Sequence, residues 1–447
     1  KQKTAYEIMP SLVGSEMCIR DSWNIETHLK QQKATYHSYN EFVQIMNDYA
    51  ENYSNIAKLE VIGTSWEGRG ILAMKISDSV NIDEDEPELL FVGLHHAREW
   101  PALEIPLFII DTLLRAYGRD TFITRMVDTR EIWVVPCMNP DGYVYSHDEG
   151  NDWRKNRRYF PEYNTYGVDL NRNYSGSCDA NPSGNWGTIL NSATTHYPVS
   201  EVYCGPAPFS ELETRAIYNL VNSHEFVFGI AYHTYGEEVL YPWGYTTQAA
   251  PDFNVLYNVA KNFAERIPGE QGGTYSPIVS AGLYPTTADA TDWMYGYSRF
   301  VMCKPMIPFT VEACQSFHPD TTRLPQILRA NFNGVVYLLQ IADSVKDLFQ
   351  ARVRQPQIYA SSSVPDTFFV ITWEDVVADR YWLREFEGIT KLWDYANYID
   401  TVAWENNGFR IYQNSYFPLP LQVFLKMVPR RTASRSLKTR DAPVIPR

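Results

Sequence analysis

The sequence predicts an α/β fold: a mixed, largely parallel twisted sheet with helices on both faces, followed by a small all-β accessory region. Three observations lead there. Between about residues 35 and 350, short apolar runs alternate with stretches of helical periodicity, the pattern of strands joined by crossover helices. Polar residues gather just after those runs, in "LHHARE", "NPDG" and "YHTYG", and open α/β sheets bind ligands at the carboxyl ends of their strands. Beyond Arg354 the texture changes to short β-like runs rich in Trp, Tyr and Phe.

The elements follow in order. "YNEFVQIMNDYAENY" (Tyr39–Tyr53) spaces Phe42, Val43, Ile45, Met46 and Tyr49 as one face of an amphipathic helix. "LEVIGTSWEGRGILAMKIS" reads as two β runs around a Gly-containing turn, a hairpin. "ELLFVGL" is a short apolar strand, followed by a helix over Ile105–Tyr117, a second helix-like stretch and a strand at Glu131–Pro136. Ser210 and Glu213 have the spacing of a capping box before the helix in "ELETRAIYNLVNSH". A strand "FVFGIAYH", a helix around Phe253–Arg266, a strand "FTVEA" and a closing helix around Leu324–Val345 complete the domain.

Residues 1–34 have no apolar signal core and no periodicity, and are read as a non-native leader. Residues 35–350 form the main domain, 351–365 a Pro/Ser-containing linker, and 366–428 a β-rich accessory domain that is incomplete. The segment 429–447 carries an excess of Lys and Arg without apolar periodicity and is expected to be a disordered tail. A formal net charge of -14 lacks the basic footprint of a nucleic-acid binder. No apolar run reaches the ~20 residues a spanning helix needs.

His96 and Glu99 stand three residues apart, so across one turn they can face a single ion. Such a pair is common in any sequence. A catalytic zinc site needs a third protein ligand and an open position, and His233, at the end of a buried strand, supplies a candidate. Glu312 is an acid inside the apolar run "PFTVEA", costly to bury without a partner.

In order and spacing, "HAREW", "WRKNRR", "GVDLNRNY", "YHTYGEEVLYPWGY", "ATDW" and "FTVEA" resemble the zinc carboxypeptidases of the A/B type, from about Tyr36 to Val345. "SDSVNIDEDEPELLFVGLHHARE" and "DATDWMYG" are similar to the bacterial carboxypeptidase T branch. The resemblance implies a zinc exopeptidase that hydrolyses the C-terminal peptide bond of peptides and proteins, acting as a monomer. It makes His96, Glu99 and His233 the zinc ligands and Glu312 the general base. Arg157 matches the arginine that steadies the oxyanion, and Asn171 with Arg172 the pair that holds the terminal carboxylate. Asp169 matches the acid that orients the first zinc histidine, Tyr284 the tyrosine that closes over the substrate, and Arg98 an arginine that recruits its carboxylate. His95 is expected to be structural. Thr291, just before Asp292, and Asp289 follow the carboxypeptidase T pattern and imply a pocket accepting both apolar and basic terminal residues.

The acidic run "NIDEDEPE" resembles a stretch that contributes to calcium binding in that branch, implying a structural Ca2+ beside the catalytic Zn2+. The resemblance also implies a secreted or periplasmic location. Cys178 and Cys204 bracket an irregular Gly/Asn/Ser-rich loop that a disulfide between them would close.

Overall fold

The structure, a computed structural model, describes residues 35–179 and 184–350 together with short strands between 358 and 438. The expected leader lies outside the described residues. The chain divides into two units, Lys1–Arg352 and Val353–Arg447.

In the first unit, α1 (Tyr39–Asn52) opens on a capping box that the sequence reading passed over: Ser38 and Glu41 satisfy each other's backbone N–H groups. Its Tyr39, Phe42 and Met46 turn into the core. The predicted hairpin forms as β1 (Ala57–Thr64) and β2 (Gly70–Ile76), paired antiparallel. β3 (Glu88–Gly93) is buried along its whole length.

Helix α2 spans Pro101–Ala116 and starts four residues before the predicted Ile105, with Pro101 in its first turn, where a missing N–H is harmless. Pro106 lies further inside and cannot donate to the Ala102 carbonyl. That oxygen packs against Gly93, where any Cβ would lie only 2.0 Å from it, so β3 and α2 approach closely just before the loop that carries His96.

The other main elements are α3 (Thr121–Val127), β4 (Glu131–Val135), α4 (Leu212–Ser223), β5 (Phe226–Thr234), β6 (Glu238–Tyr241), α5 (Phe253–Ala264), β7 (Ser276–Val279), α6 (Ala290–Gly296), β8 (Ile307–Ala313) and α7 (Leu324–Leu348). The sheet order is β1-β2-β4-β3-β5-β8-β6-β7. β4, β3, β5 and β8 run parallel at its centre, while β2 joins β4, and β6 joins β8, antiparallel. The sheet is mixed, with helices on both faces, as the sequence predicted. The chain leaves β3 toward β4 on one side and later returns as β5 on the other. This reversal of strand order creates the crevice where such sheets hold ligands.

Two local expectations are corrected. The capping box at Ser210 does not form: the N-cap is Glu211, without a side-chain cap bond. The Ser210 hydroxyl instead donates to Glu211 Oε1 at 2.7 Å and accepts from Asn173 at 2.9 Å. Cys178 and Cys204 are not joined, since the Cys178 thiol is directed at the Gly176 carbonyl, 3.2 Å away, and Cys204 Sγ lies 3.5 Å from His196 Nδ1.

In the second unit, Ile358–Ala360, Ile371–Glu374, Ser434–Lys438 and Lys426–Val428 make a four-stranded sheet, and Arg380–Glu385, Asn397–Glu405 and Gly408–Ile411 a three-stranded one. Two of these strands fall outside the stretch read as the accessory domain. Ile358–Ala360 lies within the expected linker, and Ser434–Lys438 within the expected disordered tail. The latter pairs on both sides, with its one large apolar residue, Leu437, level with Ile371 and Met427.

Candidate active site

The loop after β3 delivers His96 and Glu99, and the end of β5 delivers His233; all three are buried. Their ligand atoms lie within 4.8 Å of one another. His96 Nδ1 is 2.7 Å from Glu99 Oε1, His233 Nδ1 is 2.9 Å from Glu99 Oε2, and the two Nδ1 atoms are 3.1 Å apart.

The other face of His96 decides what this convergence means. Its Nε2 is 3.0 Å from Asp169 Oδ1, a carboxylate oxygen that can only accept, so in the neutral ring the proton sits on Nε2 and Nδ1 presents a lone pair. That lone pair faces a carboxylate oxygen and a second imidazole nitrogen. Converging acceptors repel unless a cation lies among them, so the donor set of two imidazoles and one carboxylate fits zinc.

Burial and neighbouring charge shift several of these groups. Burial pushes the Glu99 carboxyl up, but His96 and His233 outweigh it and hold its pKa below the ordinary value. Burial lowers His233, favouring the neutral ring that a metal requires. Asp169 is buried too, yet Arg154, then His96 and Arg172, hold it well below the usual carboxylate range.

Arg154 reaches Asp169 Oδ2 through Nε at 3.0 Å and Nη2 at 2.8 Å, while its Nη1 stands 3.9 Å from Glu99 Oε1. Arg157 is elsewhere. Its guanidinium stacks on Tyr145 at 3.7 Å and Tyr166 at 4.2 Å, with Glu67 Oε1 at 3.9 Å. Arg154, rather than the expected Arg157, is thus the arginine that stands beside Asp169 and Glu99. In this irregular stretch neighbouring side chains go to different partners: Lys155 Nζ to the Pro198 carbonyl at 2.8 Å, Asn156 to Glu211 at 2.8 Å and Arg158 to Glu211 at 2.9 Å.

Glu312 sits in β8, level with His233 of the neighbouring strand. Burial, and then the charge of Glu99, push its carboxyl well above the ordinary value, against the opposing pull of Arg154. Asp169 caps the short turn Leu170–Arg172 and accepts from the Asn171 N–H at 3.0 Å. Arg172 is buried, with Nε donating to the Ala193 carbonyl and Nη1 to that of Asn171, each at 2.7 Å. Asn171 Oδ1 accepts from the Ala290 N–H at 2.9 Å, which ties this turn to α6.

Thr291, in α6, shares a 2.7 Å hydrogen bond with Thr310 of β8. Asp289 caps α6, accepting from the Asp292 N–H at 2.9 Å and the Thr286 hydroxyl at 2.8 Å. Tyr284 stands 43% exposed beside a short helical turn. Arg98 points toward Asp152 at 3.4 Å and Glu201 at 3.3 Å, over the Phe317 ring. His95 lies beneath the site, stacked on His233 with ring centroids 4.9 Å apart and bonded to Tyr174 at 2.9 Å.

The zinc carboxypeptidase family profile matches residues 42–334. Mast cell carboxypeptidase A of Rattus norvegicus is 29% identical over 300 residues, spanning 66% of this chain and 69% of that protein. Carboxypeptidase A2 of Mus musculus is 33% identical over 264 residues, and the chain spans 59% of its length. A zinc carboxypeptidase of Saccharothrix mutabilis subsp. capreolus is 30% identical over 317 residues, spanning 69% of this chain and 70% of that protein. Among solved structures, carboxypeptidase A from Helicoverpa armigera shares the fold, with a TM-score of 0.61 at 24% identity over 70% of this chain and 75% of that one. The match runs through every strand and loop that builds the His96, Glu99 and His233 cluster, and with it the chain belongs to the zinc carboxypeptidase family.

Proposed function

We propose that the protein removes single amino acids from the free C-terminus of peptides and proteins, with His96, Glu99 and His233 holding one zinc ion. The convergence of three buried acceptor groups, with Glu312 on the adjacent strand, carries this reading. Bound zinc supplies Lewis-acid charge, which acidifies water and polarises the scissile carbonyl.

The chain's own residues do the rest. Glu312 takes a proton from the attacking water and passes it to the departing amine. Arg154 serves two sites at once: it neutralises Asp169, which fixes the His96 ring, and it places guanidinium charge next to Glu99, where the developing oxyanion needs donors. Arg172, its guanidinium plane set by two carbonyls, and Asn171 receive the terminal carboxylate. Tyr284, standing exposed at the rim, closes over it. Thr291 and Thr310 give the terminal side chain a small polar lining that excludes neither apolar nor basic groups.

Export is part of the same reading, which rests on the resemblance; among the described residues no helix is long and apolar enough to cross a membrane. The test is release of free amino acids from N-blocked dipeptides ending in Phe, Leu, Lys, Arg or Glu. Release from both the Phe/Leu and Lys/Arg sets, lost on chelation and restored by zinc, is expected. No release by zinc-loaded protein would mark the chain as a binding protein that keeps only the fold.

We also propose a structural calcium ion at Asp78, Glu84 and Glu86, whose carboxylate oxygens lie within 4.8 Å of one another. Glu84 Oε2 and Glu86 Oε2 are buried without a partner among the described residues, and oxygen ligands of this kind suit calcium. Burial, then Glu84, Asp78 and Glu131, push the Glu86 carboxyl up to about 7. A carboxyl raised on folding contributes stability that is full below its unfolded pKa and is lost as pH rises through the folded value. A cation therefore restores most above about pH 7. Calcium is expected to raise Tm by a few degrees near pH 8 and by much less near pH 5.5; equal shifts at the two pH values, or none, would remove the ion from the proposal.

A further inference from the structure

β6 lies antiparallel to β8, with Glu238 level with Glu312 and Leu240 level with Thr310. Glu312 is in turn level with His233 on β5. Residues level across adjacent strands send their side chains to the same face, with Cβ atoms about 5 Å apart. His233, Glu312 and Glu238 thus form one row across three strands, running from a metal ligand through the general base to a second acid.

That second acid is not claimed by the protein. Glu238 Oε2 is buried and has no hydrogen-bond partner among the described residues, and burial raises its pKa. The space beside it is kept clear by Gly236, where a Cβ would lie 3.3 Å from both Glu238 Oε2 and Glu312 Cβ. Asp289, the acid that the sequence pattern offered to basic side chains, is placed differently. Its two oxygens already accept from the Asp292 N–H and the Thr286 hydroxyl.

We propose that Glu238 is a specificity residue whose carboxylate binds an ammonium or guanidinium carried by one of the two residues flanking the scissile bond. The inference rests on the carboxypeptidase reading and adds to it the group that recognises positive charge. An orphan carboxylate oxygen beside the base is complementary to a cation, because a charge-assisted hydrogen bond satisfies it. A neutral side chain in the same place offers that oxygen no donor and leaves it unsatisfied. Leu240, two residues along β6 on the same face, and Thr310 opposite it carry this surface on toward Thr291, so Glu238 shares a face with the residues proposed to line the terminal side chain.

The experiment uses the zinc-loaded full chain, Glu238→Gln and Glu238→Leu, with two sets of N-blocked dipeptides. One set carries Lys or the isosteric norleucine at the terminal position, the other at the penultimate position. Wild type is expected to favour Lys over norleucine at one of the two positions, which identifies the side chain that Glu238 meets. In both variants the Lys/norleucine ratio of kcat/KM at that position falls about tenfold, the equivalent of one well-formed charged contact, while the ratio at the other position holds. Zinc content and a circular-dichroism melt confirm that the variants fold. A wild type without a Lys preference at either position, or ratios that the variants leave unchanged, would overturn the assignment of Glu238 while leaving the carboxypeptidase reading intact. A wild type that cleaves no dipeptide at all would overturn the reading beneath it.

Discussion

Glu312→Gln is expected to lower kcat by about two to four orders of magnitude with the zinc content unchanged. The substitution keeps the shape of the side chain and removes the group proposed to accept and return the proton. It does not touch the three ligand atoms, which come from the loop after β3 and from β5. Folding is not at risk either. Burial already disfavours the charged form of Glu312, so a neutral isostere relieves a desolvation cost rather than breaking an ion pair. The variant should therefore melt at or above the wild-type temperature while binding substrate with little change in KM, and a zinc assay alongside a rate measurement checks both halves. A variant that retains a tenth or more of the wild-type kcat would remove Glu312 from the proton-transfer role.

Arg154→Ala should cost roughly 100- to 1000-fold in kcat, the usual effect of losing an oxyanion donor. Arg157→Ala should change kcat by no more than about twofold, as expected for a substitution remote from the chemistry. The contrast follows from where the two guanidinium groups lie. Arg154 makes two hydrogen bonds to Asp169 and faces Glu99. Arg157 is stacked between Tyr145 and Tyr166, so its loss is felt in packing rather than in rate. Because Arg154→Ala also leaves Asp169 buried without its partner, the rates are compared at saturating zinc, and Arg154→Lys, which keeps the charge but loses the fork, should recover only part of the activity. Equal losses at the two positions would contradict this division of roles.

Much of the candidate site was legible in the sequence because its residues occur at the ends of recognisable apolar runs. His96 and Glu99 follow "ELLFVG", His233 closes "FVFGIAY" and Glu312 lies near the end of "IPFTVEA", and a sheet with central parallel strands delivers those ends to one crevice. What failed lies where periodicity gives no direction. In "WRKNRR" the chain is irregular and successive side chains reach separate partners, so neither a two-residue nor a 3.6-residue repeat could indicate which arginine turns inward. The Ser210 capping pattern was overridden by tertiary contacts, since Asn173 and Glu211 take the hydroxyl before the helix can. Glu238 was hidden for a related reason. β6 is only four residues long, and its level pairing with Glu312 is a non-local fact that no window of sequence contains.

The most direct test of the central proposal compares one peptide in two forms, with a free C-terminal carboxylate and with a C-terminal amide, incubated with zinc-loaded and chelated protein and followed by mass spectrometry. Stepwise loss of single residues from the free acid alone, and only with zinc bound, is the predicted result, because the Asn171 and Arg172 pair needs a carboxylate to hold. Equal cleavage of the amide, or fragments from internal bonds, would contradict it.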